Sequence, residues 1–139
     1  MTGTGESAAG KPVLTSTEAV AYVSDFRRSC DHYVSKLGFT LEFAFGDPSF
    51  YGLVARDKAR LCLRAVPEPV FAGDIREREE LLSATFTLNS AAAIKELFRE
   101  FQDSGVEFVH TLKTESWGAQ TFMVHDPDGN RILFAAPAD

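Results

Sequence analysis

The chain has 139 residues, room for one domain or for two small halves that share a core. Apolar residues make up 45% and charged residues 24%, ordinary globular values that argue against disorder. The net charge of −6 offers no basic footprint for nucleic acid, and no apolar run approaches the roughly 20 residues of a bilayer span.

Residues 1–12 are rich in Gly, Ser, Thr and Ala and read as a disordered tail. Gly5 to Pro12 nearly spells the phosphate-binding loop G-x-x-x-x-G-K-[ST]. Pro12 stands where a hydroxyl is needed and no strand precedes the run, so the match is discarded. Met1 to Gly10 has neither a basic start nor an apolar stretch, so no signal peptide is expected. Cys30 and Cys62 are too few for a disulfide framework and point to a reduced, cytoplasmic setting.

Residues 13–65 form a first module. A short strand is expected over Ala19 to Val23, then a helix capped by Asp25 or Ser24. Phe26, Cys30, Tyr33, Val34 and Leu37 recur at helical spacing, and Gly38 stops the helix. Strands follow over Phe39 to Phe45, Phe50 to Ala55 and Ala59 to Arg64. Gly46-Asp47-Pro48 and Arg56-Asp57-Lys58 read as the turns between them. Residues 66–82 are an exposed linker with room for one helical turn near Arg76 to Leu82.

Residues 83–139 repeat the order. A strand over Ala84 to Leu88 leads to a cap at Asn89 or Ser90. A helix stripe follows at Ile94, Leu97, Phe98 and Phe101, closed by Gly105. Strands are expected over Glu107 to Leu112, Gln120 to His125 and Arg131 to Ala136. Asp126-Pro127-Asp128-Gly129-Asn130 makes a tight turn between the last two. The fold class is therefore α+β, two tandem βαβββ modules offset by about 65 residues, with curved mixed sheets around a cleft. One helix covers only one face of a four-stranded sheet. The other face must meet another sheet, a partner subunit or a ligand. The 12 Phe, three Tyr and one Trp exceed what a small core needs for itself.

Val23-Ser24-Asp25 entering the first helix, Lys36-Leu37-Gly38-Phe39 leaving it, and Asp126 to Asn130 near the end resemble the vicinal oxygen chelate superfamily. That superfamily includes glyoxalase I, extradiol dioxygenases and the fosfomycin and bleomycin resistance proteins. The resemblance covers roughly Thr17 to Ala136. Its enzymes hold a divalent ion with four side chains from the first and fourth strands of each module. Here those positions fall near Glu18, Cys62, Ser83 and Leu133. Only Glu18 suits a hard cation, Cys62 is soft, Ser83 is poor and Leu133 cannot ligate. No metal and no other cofactor is therefore expected.

The metal-free branch that the chain resembles is the bleomycin resistance proteins, which sequester a drug. Gly46 to Gly52 is similar to their acidic-aromatic-Gly stretch. Trp117-Gly118 with Phe122, Asp126-Pro127 and Gly129-Asn130 is similar to their Trp-Gly run. The resemblance implies pocket roles in stacking for Phe50 (or Tyr51) and for Trp117. It also implies a homodimer that completes the clefts. From the residues themselves, Trp117 sits in a loop between small neighbours, where aromatics serve recognition. Phe50 and Tyr51 are adjacent on a strand, so one of them faces the cleft. Tyr22 shares a strand face with Glu18 and Val20. His125 is a candidate polar pocket or interface residue. No nucleophile constellation appears, so no catalytic residue is assigned.

The expectation is thus a metal-independent protein that binds a flat, partly cationic or polar aromatic compound, with no nucleic acid or membrane partner. The alternative is a metal-dependent lyase, isomerase or dioxygenase of the same superfamily, drawing on Glu18, His110 or His125. A subunit or regulator with no small ligand is a third reading.

Overall fold

The computed structural model describes residues 10–138. The tail expected over residues 1–12 falls, up to residue 9, outside them. The elements are β1 (Ala19–Val23), α1 (Phe26–Ser35), β2 (Thr40–Gly46), β3 (Ser49–Arg56) and β4 (Ala59–Ala65), followed by α2 (Ile75–Arg78). Then come β5 (Ala84–Thr87), α3 (Ala91–Asp103), β6 (Phe108–Thr114), β7 (Gln120–His125) and β8 (Arg131–Ala136). Two four-stranded sheets form, in the orders β1-β4-β3-β2 and β5-β8-β7-β6. Each is mixed, because β1 and β5 run parallel to β4 and β8 while the other pairs are antiparallel.

The helix caps follow from local chemistry. The Asp25 carboxylate accepts the Arg28 N–H at 3.1 Å, and the Ser90 hydroxyl accepts the Ala93 N–H at 3.0 Å. Gly38 has φ +75°, which lets the Phe39 N–H close back on the Tyr33 carbonyl at 3.0 Å. That bond explains why β2 begins at Thr40 and not at Phe39. β6 runs to Thr114, past the expected Leu112, because Thr114 pairs with Gln120 and Glu115 bonds to Ala119 across the turn. Val34, expected on the buried stripe, is 42% exposed at its edge.

One core runs through both modules. Phe26, Cys30 and Tyr33 of α1 cover Ala21, Val23, Val54, Leu61 and Leu63. Gly52 is needed in β3 because a Cβ there would meet the Phe26 ring and the Phe43 carbonyl. The surplus of Phe divides. Phe101, Phe122 and Phe134 are buried and pack ring on ring, with the Phe122 and Phe134 centroids 5.0 Å apart. Phe43, Phe45, Phe50 and Phe71 stay exposed.

The modules are clasped by the β7–β8 turn. Asp126 is 1% exposed. Its Oδ2 accepts the Tyr33 hydroxyl at 2.9 Å and the Asn130 amide at 2.8 Å. Its Oδ1 accepts the backbone N–H groups of Asp128 and Asn130, both at 2.9 Å. Asn130 also donates to the Tyr22 carbonyl, and Asp128 accepts the Ser24 N–H. A second link joins Arg56 of β3 to Glu100 of α3, with contacts of 2.7 and 2.9 Å. Arg56 also donates to the Leu37 carbonyl. Among the described residues, no helix is long and apolar enough to cross a membrane.

Asp126→Ala strands the buried Tyr33 hydroxyl and Asn130 amide, so it should cost about 3 kcal/mol of stability in urea unfolding. Tyr33→Phe, which removes one donor, should cost about 1 kcal/mol, and Asp31→Ala on the surface almost nothing. The Arg56 guanidinium holds the Glu100 carboxyl below its ordinary value by hydrogen bonding. A depressed carboxyl stabilises the fold above the unfolded value, near pH 4.3, and that part is lost as pH falls through the folded value. Glu100→Gln should therefore be less stable than the parent at pH 7. The pair is part-exposed, so the difference is under about 1 kcal/mol, and it should vanish in acid.

Candidate functional site

Alternation along the strands sends every second side chain of the first sheet away from α1. The cross-strand register arranges these side chains in rows. Tyr22, Arg64, Tyr51 and Phe45 form one row across β1, β4, β3 and β2. Val20, Cys62, Leu53 and Phe43 form the next. Tyr22 is 42% exposed, Phe43 46% and Phe45 64%, whereas Leu53 and Cys62 are buried between them as a floor. The Tyr51 and Phe43 rings lie 5.8 Å apart, and the Tyr51 hydroxyl is 3.7 Å from the Cys62 thiol. That contact is the main cause pushing the Tyr51 hydroxyl above its ordinary value.

Charges on this face are sorted. Arg60 reaches Glu18 at 3.0 Å and Glu42 at 3.3 Å. The hydrogen bond from Arg60, helped by Ser16, holds the Glu18 carboxyl below its ordinary value. Arg64 lies in the aromatic row, with its guanidinium carbon 5.5 Å from the Phe50 ring centroid.

The structure brings Tyr22 and Tyr51 onto one face. Phe50, at the start of β3, is 40% exposed at the same end of the sheet, packed edge-on against Phe45. Trp117 stands 71% exposed in the β6–β7 turn of the other module. His125 ends β7, where its Nδ1 lies 3.0 Å from the Asp126 carbonyl and its Nε2 3.5 Å from Glu107. It lines a 240 Å³ cavity with His32 and Lys36 of the α1 region, away from Tyr51. His32 is half-buried there, and desolvation pulls its imidazole below the ordinary value.

Phe43, Phe45 and Arg64 escaped the sequence reading. Phe39, Leu41, Phe43 and Phe45 occupy alternate positions of one expected strand. A bulge between Leu41 and Phe43 shifts the register, so Phe43 and Phe45 emerge on the open side. The signal for Arg64 was its spacing of two residues from Cys62 and four from Arg60, which puts all three on one strand face.

The equivalent rows of the second sheet carry no aromatic side chain. They read Thr85, Leu133, Met123, His110 and Thr87, Ala135, Thr121, Lys113. A separate cleft of about 550 Å³ lies between the β3–β4 turn and β5. None of the five expected binding residues lines it. Of its rings, Phe39, Phe101 and Phe134 are 1–4% exposed and spent on core packing, and Phe86 is half-buried.

The donors at the chelating positions do not fit a divalent ion. Glu18 is engaged by Arg60, Cys62 sits on an apolar floor, Ser83 bonds Asn130, and Leu133 carries no donor. Among the described residues no three His, Cys, Asp or Glu side chains gather to hold a metal.

The model of the Glyoxalase/Bleomycin resistance protein/Dioxygenase superfamily matches residues 16–134. A sequence search of curated proteins finds no match. A solved glyoxalase/bleomycin resistance protein/dioxygenase from Alicyclobacillus acidocaldarius is similar, with TM-score 0.72 and 18% identity over 90% of this chain and 92% of that one. TioX from Micromonospora sp. ML1 has TM-score 0.67 and 18% identity over 88% and 98%. Lactoylglutathione lyase from Agrobacterium tumefaciens has TM-score 0.67 and 16% identity over 91% and 96%. At such identities the likeness concerns the fold. With nearly its whole length matched, and two βαβββ modules in tandem, the chain belongs to the Glyoxalase/Bleomycin resistance protein/Dioxygenase superfamily.

Proposed function

We propose that the chain is a metal-independent small-molecule-binding protein of the cytoplasm, similar in role to bleomycin-type proteins that sequester a drug. The single observation behind this reading is the row of rings, exposed Tyr22 and Phe45 with half-buried Tyr51 between them and exposed Phe43 beside it, on a sheet face that α1 leaves bare. Solvent-facing rings in such number favour a flat guest, because offset stacking adds about 1 kcal/mol per ring beyond burial. Phe50 extends the surface at the sheet end. In the homodimer implied by the resemblance, a second copy completes the cleft. Trp117 is then the contact offered by the second module, while His125 stays with the separate cavity beside His32 and Lys36. The reading requires no cofactor.

The metal-dependent lyase, isomerase or dioxygenase reading finds no support in a donor set where arginine already occupies the best carboxylate. Protein purified without chelator should carry well under one divalent ion per chain by elemental analysis. A stoichiometric ion would favour the enzyme.

A panel of flat aromatic antibiotics and metabolites, titrated by calorimetry with and without chelator, tests the binding reading. The best binder should bind equally in both conditions. Tyr51→Ala should weaken it by about fivefold, the equivalent of one stacking contact. Trp117→Leu should remove the tryptophan fluorescence response and weaken binding similarly. Unchanged affinity in Trp117→Leu assigns that ring to no part of the site.

A further inference from the structure

We propose that Arg64 makes the aromatic face selective for a planar aromatic anion, a flat ring bearing a carboxylate, sulfonate or phosphate; the inference rests on that face being the binding surface. The carboxylates of the first sheet's open face, Glu18 and Glu42, already share one arginine. Arg60 lies between Glu18 and Glu42 and is neutralised there. Arg56, at the far end of β3, is held by Glu100.

Arg64 differs. It is exposed, and among the described residues no carboxylate lies within ion-pair distance of it. Its strand neighbours on both sides are rings, Tyr22 on β1 and Tyr51 on β3. Its guanidinium lies over the Phe50 ring, an arrangement that fixes the planar fork and leaves its N–H groups to an incoming group. Tyr51 adds no negative charge, since its hydroxyl is held above its ordinary value.

An anionic oxygen pair docked on Arg64 places the attached ring over Tyr51 and the Leu53–Cys62 floor, next to Phe43. A guanidinium meets a carboxylate or a phosphate with two parallel hydrogen bonds, stronger than neutral ones. A cationic ligand meets the opposite situation. Arg64 repels it within the row, and Glu18 and Glu42 are committed to Arg60. The net charge of −6 acts against an anion only at long range, and physiological salt screens it beyond roughly 8 Å.

Calorimetric titration of the full chain at neutral pH with 2-naphthoate, uncharged 2-naphthamide and 2-naphthylmethylammonium tests this. Wild type should bind naphthoate about tenfold more tightly than naphthamide, and the ammonium compound least. Arg64→Gln should reduce the naphthoate preference to within about twofold, and an unchanged urea-unfolding midpoint in the same variant reports an intact fold. Arg64→Lys should keep part of the preference. Arg27→Gln, an equal charge change on α1, should keep all of it.

Equal binding of naphthoate and naphthamide by wild type, or a preference that survives Arg64→Gln, overturns the selectivity and leaves the aromatic face standing. Failure of both compounds to bind, or indifference of both to Tyr51→Ala, overturns the face as a binding surface and this inference with it. A second copy covering the face appears as binding of both compounds lost as protein concentration rises, and it overturns the inference too.

Discussion

A carboxylate taken out of water must find donors, and the burial of Asp126 is the constraint around which both modules are arranged. Its oxygens collect two backbone N–H groups of its own turn, the Asn130 amide and the Tyr33 hydroxyl of the other module. Tyr33 is itself fully buried, and burial beside Asp126 pushes its hydroxyl well above the ordinary value. Two polar groups that would each be costly alone satisfy one another across the module boundary. Asn130 extends the link to the Tyr22 carbonyl, on the strand that bears one of the exposed rings. The turn therefore does more than reverse the chain. It sets where β1 lies.

With the modules held so, each helix faces the shared core and each sheet turns its other side outward. The two outward faces diverge in chemistry although the backbone repeats. The first carries rings and arginines, and the second carries threonines, His110 and Lys113. The scaffold occurs twice, and side-chain differences give one copy a face of rings and the other a more polar one. Shared fold with other members of the superfamily says little about chemistry for this reason. What matters is which side chains occupy the open rows of β1, β4, β5 and β8. Here an arginine, a leucine and a cysteine stand among them.

Element order was legible because it rests on short-range physics. Helical spacing, side-chain caps at Asp25 and Ser90, and Gly38 and Gly105 at positive φ act within a few residues. The open face was half legible. Alternation put Tyr22 on one face with Val20 and left Phe50 and Tyr51 as alternatives, and it missed Phe43 and Phe45, because a bulge after Leu41 changes the side to which later residues point. The turn residues Asp126 to Asn130 were recognisable as a turn, and nothing local marks them as the clasp between modules.

The sequence alone determined the doubled βαβββ order and the helix stripes, since each depends on residue type and nearby spacing. Only the tertiary structure decided that Arg60 is neutralised while Arg64 is not. It also decided that His125 lies apart from the tyrosines and that Asp126 joins the halves. Those outcomes depend on strand register and on contacts between residues tens of positions apart. No window of sequence holds both partners of such a contact.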